Sequence, residues 1–371
     1  MEGHWTQRVL EERVARLKRE GKRRGFSGFI IATAANMKYF TGVSVLAIER
    51  FAGVIIPIDS DPAIVVPELE EEKVKSLSAF RNIQKYSDAE GPEGLVKSVL
   101  KELHLTRGKL GVEDFLPYKF SKMINRAAPR AELDEASNIF MGLRSIKTPD
   151  ELELMRKAAN IVAQCIDAGI KAIRVGATEL DIGFEIERRI EQSGGESVPF
   201  CIVLSGENAA LPHGSSSKAE VRKGDAVIMD VGATYDGYFA DLTKTVFVGS
   251  ASAKQREIYD IVLRAQAKAI KSVKPGIPAS DIDKTARDVI KEAGYGERFT
   301  HRTGHGLGLE VHEEPSVTAT CKTVLKPGMT FTVEPGIYLP QEFGVRIEDN
   351  IAVTEDGRIT IGACEKTLTI V

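Results

Sequence analysis

The chain has 371 residues, a net charge of −3 at neutral pH, 43% apolar residues and 28% charged residues. This length predicts two domains, and the composition is that of an ordinary globular protein. The small net charge argues against a nucleic-acid-binding surface, and no apolar run reaches the length of a membrane span. No apolar secretory segment stands at the start, and the four cysteines form no C-x-x-C pair, which favours a cytoplasmic protein with reduced thiols.

The first part of the chain, residues 1–143, alternates strand and helix signals. Short apolar runs typical of strands lie at residues 28–32, 52–58, 63–66 and 109–113, and a helical stretch lies at 92–104. This part contains no phosphate-binding loop and no cluster of titratable side chains. We therefore predict a small α/β N-terminal domain at residues 1–143, followed by a larger domain at residues 144–371.

The larger domain reads as one pattern written twice. Its first helix start, Thr148-Pro149-Asp150-Glu151, has a capping residue, a proline at the first helical position and a capping-box glutamate, and Ser252 with Gln255 repeats the capping box. Helix stops recur at an offset of 100 residues, Gly176 with Gly276 and Gly194 with Gly294. The order helix, helix, strands in each copy predicts an α+β domain with a pseudo-twofold repeat, helices backing a curved sheet and a site between the halves.

Each copy also carries two carboxylates at matching positions. An apolar strand is expected to end at Asp230 in the first copy and at Glu334 in the second, and further carboxylates follow at Asp241 and Glu348. If Asp236-Gly237 is a two-residue hairpin loop, Asp230 and Asp241 are diagonal neighbours on one face. An isolated Asp230 would be read as a turn residue, but its match with Glu334 favours a shared site. Four buried negative charges require protonation or neutralisation, so the pattern predicts two divalent metal ions per subunit.

Histidines complete the candidate site. His305 lies in Thr303-Gly-His-Gly-Leu-Gly308, where the glycines allow close backbone approach, and beside four oxygen ligands it predicts a site for Mn²⁺, Co²⁺, Zn²⁺ or Fe²⁺. His213 and His312, offset by 99 residues, are expected over the metals, with loop histidines satisfied by backbone groups as the alternative. His301 is a candidate ligand, a support for the ligands or a structural residue, and the last two are favoured.

These motifs resemble those of the pita-bread metallopeptidases, and more narrowly those of the Xaa-Pro peptidases, which are the prolidases and aminopeptidases P. The matching motifs are Met-Asp-Val-Gly-Ala at 229–233, Ala-Asp-Leu-Thr at 240–243, Thr-Gly-His-Gly-Leu-Gly at 303–308, Val-Glu-Pro-Gly at 333–336 and Arg-Ile-Glu-Asp at 346–349. Residues 306–315 and 343–349 match the Xaa-Pro branch in particular. A small departure is Lys244, where the family often has arginine.

The resemblance implies a role for each ligand. Asp241 would chelate one metal together with a bridging Asp230. His305 and Glu334 would hold the other metal, with Glu348 bridging. Mn²⁺ and Co²⁺ are the metals expected first, and water made reactive by the two ions would be the nucleophile.

The resemblance also implies how the other residues act. Glu334 would transfer protons during hydrolysis. His213 and His312 would stabilise the oxyanion or steer the substrate. Arg346 would bind a substrate carboxylate or a backbone carbonyl through its guanidinium group, with a strand-surface arginine as the alternative.

The predicted function is hydrolysis of Xaa-Pro peptide bonds in small peptides with proline at the second position. A dipeptidase (prolidase) activity is expected first, and an aminopeptidase P activity on longer peptides is the alternative. The resemblance suggests a homodimer. A metal-free relative that binds a partner or nucleic acid, and a metal-independent creatinase-like hydrolase, are two further hypotheses. The complete ligand set argues against both.

Overall fold

The computed structural model describes residues 5–45 and 49–371. The chain forms two units, Met1–Arg144 and Ser145–Val371. Within the described residues, every helix is too short or too polar to cross a membrane.

The first unit is an α/β domain built on one sheet. Its helices are α1 (Gln7–Arg23), α2 (Ala34–Thr41), α3 (Glu71–Leu77), α4 (Pro92–Glu102), α5 (Tyr118–Ala127) and α6 (Ser137–Arg144). Its strands are β1 (Gly28–Ile31), β2 (Gly53–Pro57), β3 (Ala63–Pro67), β4 (Ile83–Tyr86), β5 (Arg107–Val112) and β6 (Arg130–Glu135). The strand order is β4-β3-β2-β1-β5-β6, with β2 antiparallel to both neighbours and the other pairs parallel.

The predicted strands of this unit are the inner strands of its sheet. The apolar runs correspond to β1, β2, β3 and β5, and the predicted helix at 92–104 corresponds to α4. The sequence analysis missed β4 and β6, which lie at the two edges of the sheet and carry polar residues, as in Ile83-Gln-Lys-Tyr86. Edge strands are polar because an exposed apolar edge would pair with other chains, and polar strands give a weak sequence signal.

The second unit is an α+β domain. Its helices are α7 (Pro149–Ala172), α8 (Glu179–Gln192), α9 (Ala253–Ser272) and α10 (Ala279–Glu292). Its strands are β7 (Ser197–Ser205), β8 (Ala226–Tyr235), β9 (Tyr238–Phe247), β10 (Gly304–Gly306), β11 (Glu313–Val317), β12 (Thr330–Val333), β13 (Gly336–Leu339), β14 (Phe343–Arg346), β15 (Asp349–Val353) and β16 (Arg358–Gly362). They pair as β7-β8-β9, β11-β10-β12-β15-β16 and β13-β14.

The internal repeat is confirmed by matching backbone details in the two halves. Gly176 and Gly276 have φ angles of +86° and +87°, in the left-handed region that favours glycine. Gly176 N donates to Val221 O at 2.9 Å, and Gly276 N donates to Leu325 O at 2.9 Å. In each half, this hydrogen bond therefore joins the turn after the first helix to the segment that precedes a strand, β8 in the first half and β12 in the second.

The helices begin where the capping signals predict. Thr148 forms a capping box with Glu151 at the start of α7, and Ser252 forms one with Gln255 at the start of α9. Their apolar faces cover the sheets. Residues of α7 and α8 share one apolar core with β7, β8 and β9, and residues of α9 and α10 share another with β12, β13, β14 and β15. Each half thus buries its helices mainly against its own strands, although Ala226 and Phe247 of β8 and β9 join the core of the second half.

The repeat predicts equal effects of the same substitution in both halves. An alanine at Gly176 or at Gly276 meets no neighbouring atom, so its cost comes from the left-handed backbone alone. We expect each variant to lose about 1 kcal/mol of stability in thermal unfolding. Gly94→Ala is the control, because Gly94 lies in α4 with a free surrounding space and without a positive φ angle. It should gain about 0.5 kcal/mol, and a loss confined to one repeat glycine would contradict the equivalence.

Candidate metal centre

The candidate metal ligands meet in one cavity of the second unit. The cavity has a volume of about 550 Å³ and is lined by Phe200, Ile202, His213, Asp230, Asp241, Thr300, His301, Arg302, His305, Val311, His312, Glu334 and Glu348. These residues include all five predicted ligands and both predicted accessory histidines. Arg346 is absent from this lining, because it lies buried behind Asp230.

The first half supplies its two carboxylates from the β8–β9 hairpin. Asp230 pairs with Thr243 and Gly232 pairs with Asp241, so the two aspartates are diagonal neighbours on one face, as the predicted turn requires. Asp236 and Gly237 form that turn with φ angles of +48° and +78°. The expected end of the strand at Asp230 was wrong. Asp230 lies in the middle of β8, because the strand continues through Val-Gly-Ala-Thr-Tyr to the turn.

The second half supplies its ligands from strand ends and from a short central strand. Glu334 directly follows β12, and Glu348 lies between β14 and β15. His305 is the middle residue of β10, where its backbone N donates to Thr332 Oγ1 at 3.1 Å. The Thr332 hydroxyl in turn donates to Glu334 Oε1 at 3.1 Å. One threonine therefore links the strand of the histidine to the carboxylate.

The side chains are close enough to share ions. His305 Nε2 lies 3.5 Å from Asp241 Oδ2 and 3.4 Å from Glu334 Oε1. One ligand atom from each of Asp241, His305 and Glu348 lies within 4.8 Å of the others. Two carboxylate oxygens of this group, Asp241 Oδ1 and Glu348 Oε1, are buried and have no hydrogen-bond partner among the described residues.

The electrostatics of the cluster call for cations. Burial, followed by the charge of Asp230, raises the pKa of Asp241 well above its usual range, and burial followed by Asp241 does the same for the pKa of Glu348. Burial raises the pKa of Glu334 to about 7. Burial lowers the pKa of His305 and so favours the neutral imidazole, which is the form that binds metals. Oxygen and imidazole donors with unsatisfied buried oxygens fit divalent transition metals.

Arg346 supports the cluster from behind. Its Nη2 donates to Asp230 Oδ2 at 2.5 Å, its Nη1 donates to the Tyr338 hydroxyl at 2.8 Å, and its Nε donates to Thr243 Oγ1 at 3.2 Å. Thr243 donates to Glu348 Oε2 at 2.6 Å. All three guanidinium nitrogens therefore have partners within the protein, whereas the sequence analysis expected Arg346 to face the substrate. A contact of Arg346 with a substrate backbone carbonyl, the other role that the sequence analysis gave it, stays a prediction.

His301 lines the cavity as a neutral, fixed imidazole. Burial, followed by the charge of Arg346, lowers the pKa of His301 to about 3, and burial raises the pKa of Tyr338 to about 12. Because the carbonyl Arg302 O can only accept, His301 Nδ1 donates to it at 2.7 Å, and the neutral Nε2 accepts the phenol proton of Tyr338 at 2.8 Å. The Tyr338 oxygen accepts from Arg346. Nδ1 lies 3.9 Å from Glu334 Oε2, beyond hydrogen-bonding distance. This arrangement suits the supporting role that the sequence analysis favoured.

The two accessory histidines lie on separate loops. His312 packs edge-on against His305 with ring centroids 4.3 Å apart. The His213 loop follows β7, and its two ends are held by the buried Glu179, which accepts the backbone N–H of Ser205 at 2.7 Å and of Ser217 at 2.9 Å. The structure thus brings His213 and His312 from opposite repeats to one cavity.

Arg302 is a charged residue of the cavity wall that the sequence analysis missed. Of the lysines and arginines among the described residues, Arg302 is the one that lines this cavity. Its Nη1 lies 3.5 Å from Ser316 Oγ. The signal for it was its place directly between His301 and the Thr303-Gly-His motif. A cation at this position escaped notice because sequence alone does not tell which neighbours of a motif face its cavity.

Comparison with known proteins agrees with this geometry. The sequence model of metallopeptidase family M24 matches residues 153–355, and the model of the creatinase/prolidase N-terminal domain matches residues 13–146. The Xaa-Pro dipeptidase of Pyrococcus furiosus is 37% identical over 363 residues, which cover 97% of this chain and 100% of the relative.

Solved structures extend the similarity to the whole fold. A prolidase from Thermococcus sibiricus superposes with a TM-score of 0.92 at 37% identity, covering 97% of this chain and 99% of that chain. An X-Pro aminopeptidase from Thermotoga maritima superposes with a TM-score of 0.88 at 30% identity, covering 96% and 99%. The chain therefore belongs to metallopeptidase family M24 and carries a creatinase/prolidase N-terminal domain.

Proposed function

We propose that this protein is a two-metal peptidase that hydrolyses Xaa-Pro bonds, and that dipeptides are its substrates. The observation that carries the proposal is the convergence of four carboxylates and one histidine from both repeats on one largely buried cavity. The similarity to Xaa-Pro dipeptidases along nearly the whole chain supports the substrate class. Cleavage of longer peptides, as by the similar X-Pro aminopeptidase, is the second candidate.

Five residues of the cavity would hold the metals. Asp230, Asp241, His305, Glu334 and Glu348 would bind two divalent ions, for which we propose Mn²⁺ or Co²⁺, with Zn²⁺ or Fe²⁺ as alternatives. When bound, such ions act as Lewis acids and make water a nucleophile near neutral pH. We further propose a homodimer in the cytoplasm, where the four free cysteines would stay reduced.

The protein groups around the cavity would handle the proton and the developing charge. Glu334 Oε1 accepts from Thr332, while Oε2 lies 3.9 Å from His301 Nδ1, too far for a hydrogen bond, and we assign proton transfer to this oxygen. Glu334 would take a proton from the attacking water and pass it to the prolyl nitrogen, which must be protonated to leave as an amine. His213 and His312 would donate to the oxyanion that forms on the scissile carbonyl.

The cavity wall suits a dipeptide that ends in proline. An Xaa-Pro bond has no N–H, so recognition of the prolyl ring depends on shape and apolar contact. Phe200, Ile202 and Val311 supply apolar surface in the cavity. The C-terminal carboxylate of a dipeptide lies one residue beyond the scissile bond and requires a cation within the cavity. Because the nitrogens of Arg346 are engaged by Asp230 and its other partners, we assign this role to Arg302.

A peptide assay tests the function directly. We expect the Mn²⁺-loaded protein to hydrolyse an Xaa-Pro dipeptide and to lose this activity in a chelator, with recovery on adding Mn²⁺ or Co²⁺. Glu334→Gln is the inactive control and should lose about 10²-fold or more in kcat, since it lacks the carboxylate that transfers protons. Cleavage of only an Xaa-Pro-Xaa tripeptide would overturn the dipeptidase assignment, and activity unaffected by the chelator would overturn the metal assignment.

Arg302→Met tests recognition of the substrate carboxylate. A hydrogen bond to a charged group contributes about 1.5–3 kcal/mol, so KM for an Xaa-Pro dipeptide should rise about tenfold to hundredfold. KM for the corresponding dipeptide amide, which has no carboxylate, should change little. Arg298→Met, at an exposed arginine outside the cavity lining, is the matched control and should leave both values near those of wild type. An equal rise for the acid and the amide would remove Arg302 from this role.

The metal-free protein should show a pH-dependent loss of stability at the site. The folded pKa of Glu334, about 7, exceeds its usual value of 4.5, so the folded state binds this proton more tightly than the unfolded state. The resulting stabilisation is present below pH 4.5 and is lost as pH rises through 7. The Tm difference between wild type and Glu334→Gln separates the contribution of Glu334 from the contributions of the histidines. We expect the metal-free wild type to lose Tm relative to the variant across this window, and saturating Mn²⁺ to reverse the loss. A Tm difference that does not change with pH would contradict the raised pKa of Glu334.

A further inference from the structure

The loop that carries His312 is held by a buried carboxylate. Glu313, the first residue of β11, accepts the backbone N–H of Leu309 at 2.9 Å and of Glu310 at 3.2 Å through Oε1. The carboxylate packs so closely on Gly308 that a Cβ there would lie 2.7 Å from Glu313 Oε2. The turn between His305 and His312 therefore folds around the side chain of Glu313.

The other oxygen of this carboxylate meets a lysine from a distant segment. Lys147 Nζ lies 2.8 Å from Glu313 Oε2, and both side chains are 1% exposed. The backbone N of Lys147 donates to Gly328 O at 2.9 Å, in the turn that precedes β12. The ion pair thus ties the His312 loop to the segment just before α7.

The stability of the fold alone does not explain a buried ion pair between Lys147 and Glu313. Desolvation of the two charges offsets most of their attraction, so such a pair contributes little net stability over an apolar pair. Its geometry is nevertheless strict, because an unpaired buried charge costs several kcal/mol. A pair of this kind fixes where its backbone partners lie, and the partners here are the amides that precede His312.

We propose that Glu313 and Lys147 are positioning residues that hold His312 over the metal ligands, an inference that rests on the proposed peptidase function. Neither residue lines the cavity. Both act through the loop, whose last residue packs its ring against His305 at 4.3 Å between centroids. Displacing this loop moves a proposed oxyanion donor while leaving the carboxylates of the other strands in place.

The test is a double-mutant cycle in the Mn²⁺-loaded, full-length protein with an Xaa-Pro dipeptide. Lys147→Met keeps the aliphatic stem and removes the charge, and we expect kcat to fall about tenfold to hundredfold. In a His312→Ala background the same change should lower kcat less than about threefold, because the side chain that Lys147 positions is then absent. In a His213→Ala background the full loss should persist. Lys254→Met, in an exposed ion pair with Glu342, is the matched control and should leave kcat unchanged.

A second measurement follows the loop itself. Hydrogen exchange detected by mass spectrometry should show amides of residues 307–312 exchanging about tenfold faster in Lys147→Met, while those of β8 stay protected. If Lys147→Met does not fold, the double variant Lys147→Met/Glu313→Gln removes both buried charges and is expected to fold with the same loss of kcat.

Each outcome decides the inference. An equal loss of kcat in the His312→Ala and His213→Ala backgrounds, an unchanged kcat, or unchanged exchange of residues 307–312 would overturn it. If the wild-type protein cleaves no Xaa-Pro peptide, the proposed function fails, but the exchange measurement still decides whether Lys147 and Glu313 hold the loop.

Discussion

Repulsion between buried carboxylates is the constraint on which the catalytic domain depends. Asp230, Asp241, Glu334 and Glu348 line one cavity, and Arg346 is the cation that touches Asp230 directly. With all acids ionised, four carboxylates and one guanidinium leave three negative charges in a poorly hydrated space. Such a cluster is stable only when protons or cations neutralise it, and burial together with the neighbouring carboxylates raises the pKa values of Asp241, Glu334 and Glu348.

The same charge balance explains the advantage of two ions over one. A single divalent ion would leave the cluster with one negative charge, which would repel both an anionic substrate and a developing oxyanion. Two divalent ions leave one positive charge when Arg346 is included. With two ions bound, the pairing of Arg346 with Asp230 would therefore contribute to substrate binding through the electrostatic field of the whole site.

Sequence predicted those features that local chemistry and the repeat determine. The capping boxes at Thr148 and Ser252 and the hairpin turn at Asp236-Gly237 are local, and the turn alone set the register that places Asp241 beside Asp230. The repeat brought the ligands of the second half into the same prediction. The partners of Arg346 and Glu313 escaped prediction because they lie far away in sequence, 116 residues for Asp230 and 166 for Lys147. No periodicity encodes such pairs, since only the packed fold brings them together.

We expect the choice between dipeptides and longer peptides to depend on the residues of the cavity wall and not on the fold. In the proposed mechanism, the metal ligands, accessory histidines and apolar wall would act on the scissile bond and the residues on either side of it. These groups would serve a dipeptidase and an aminopeptidase equally well. The substrates differ one residue later, where a dipeptide presents a carboxylate and a longer peptide presents an amide. A cation at that position favours the carboxylate by charge, whereas a neutral or open position admits the longer chain. Arg302 lies in the cavity wall, and in its proposed role it would supply this charge and determine the substrate length of this protein.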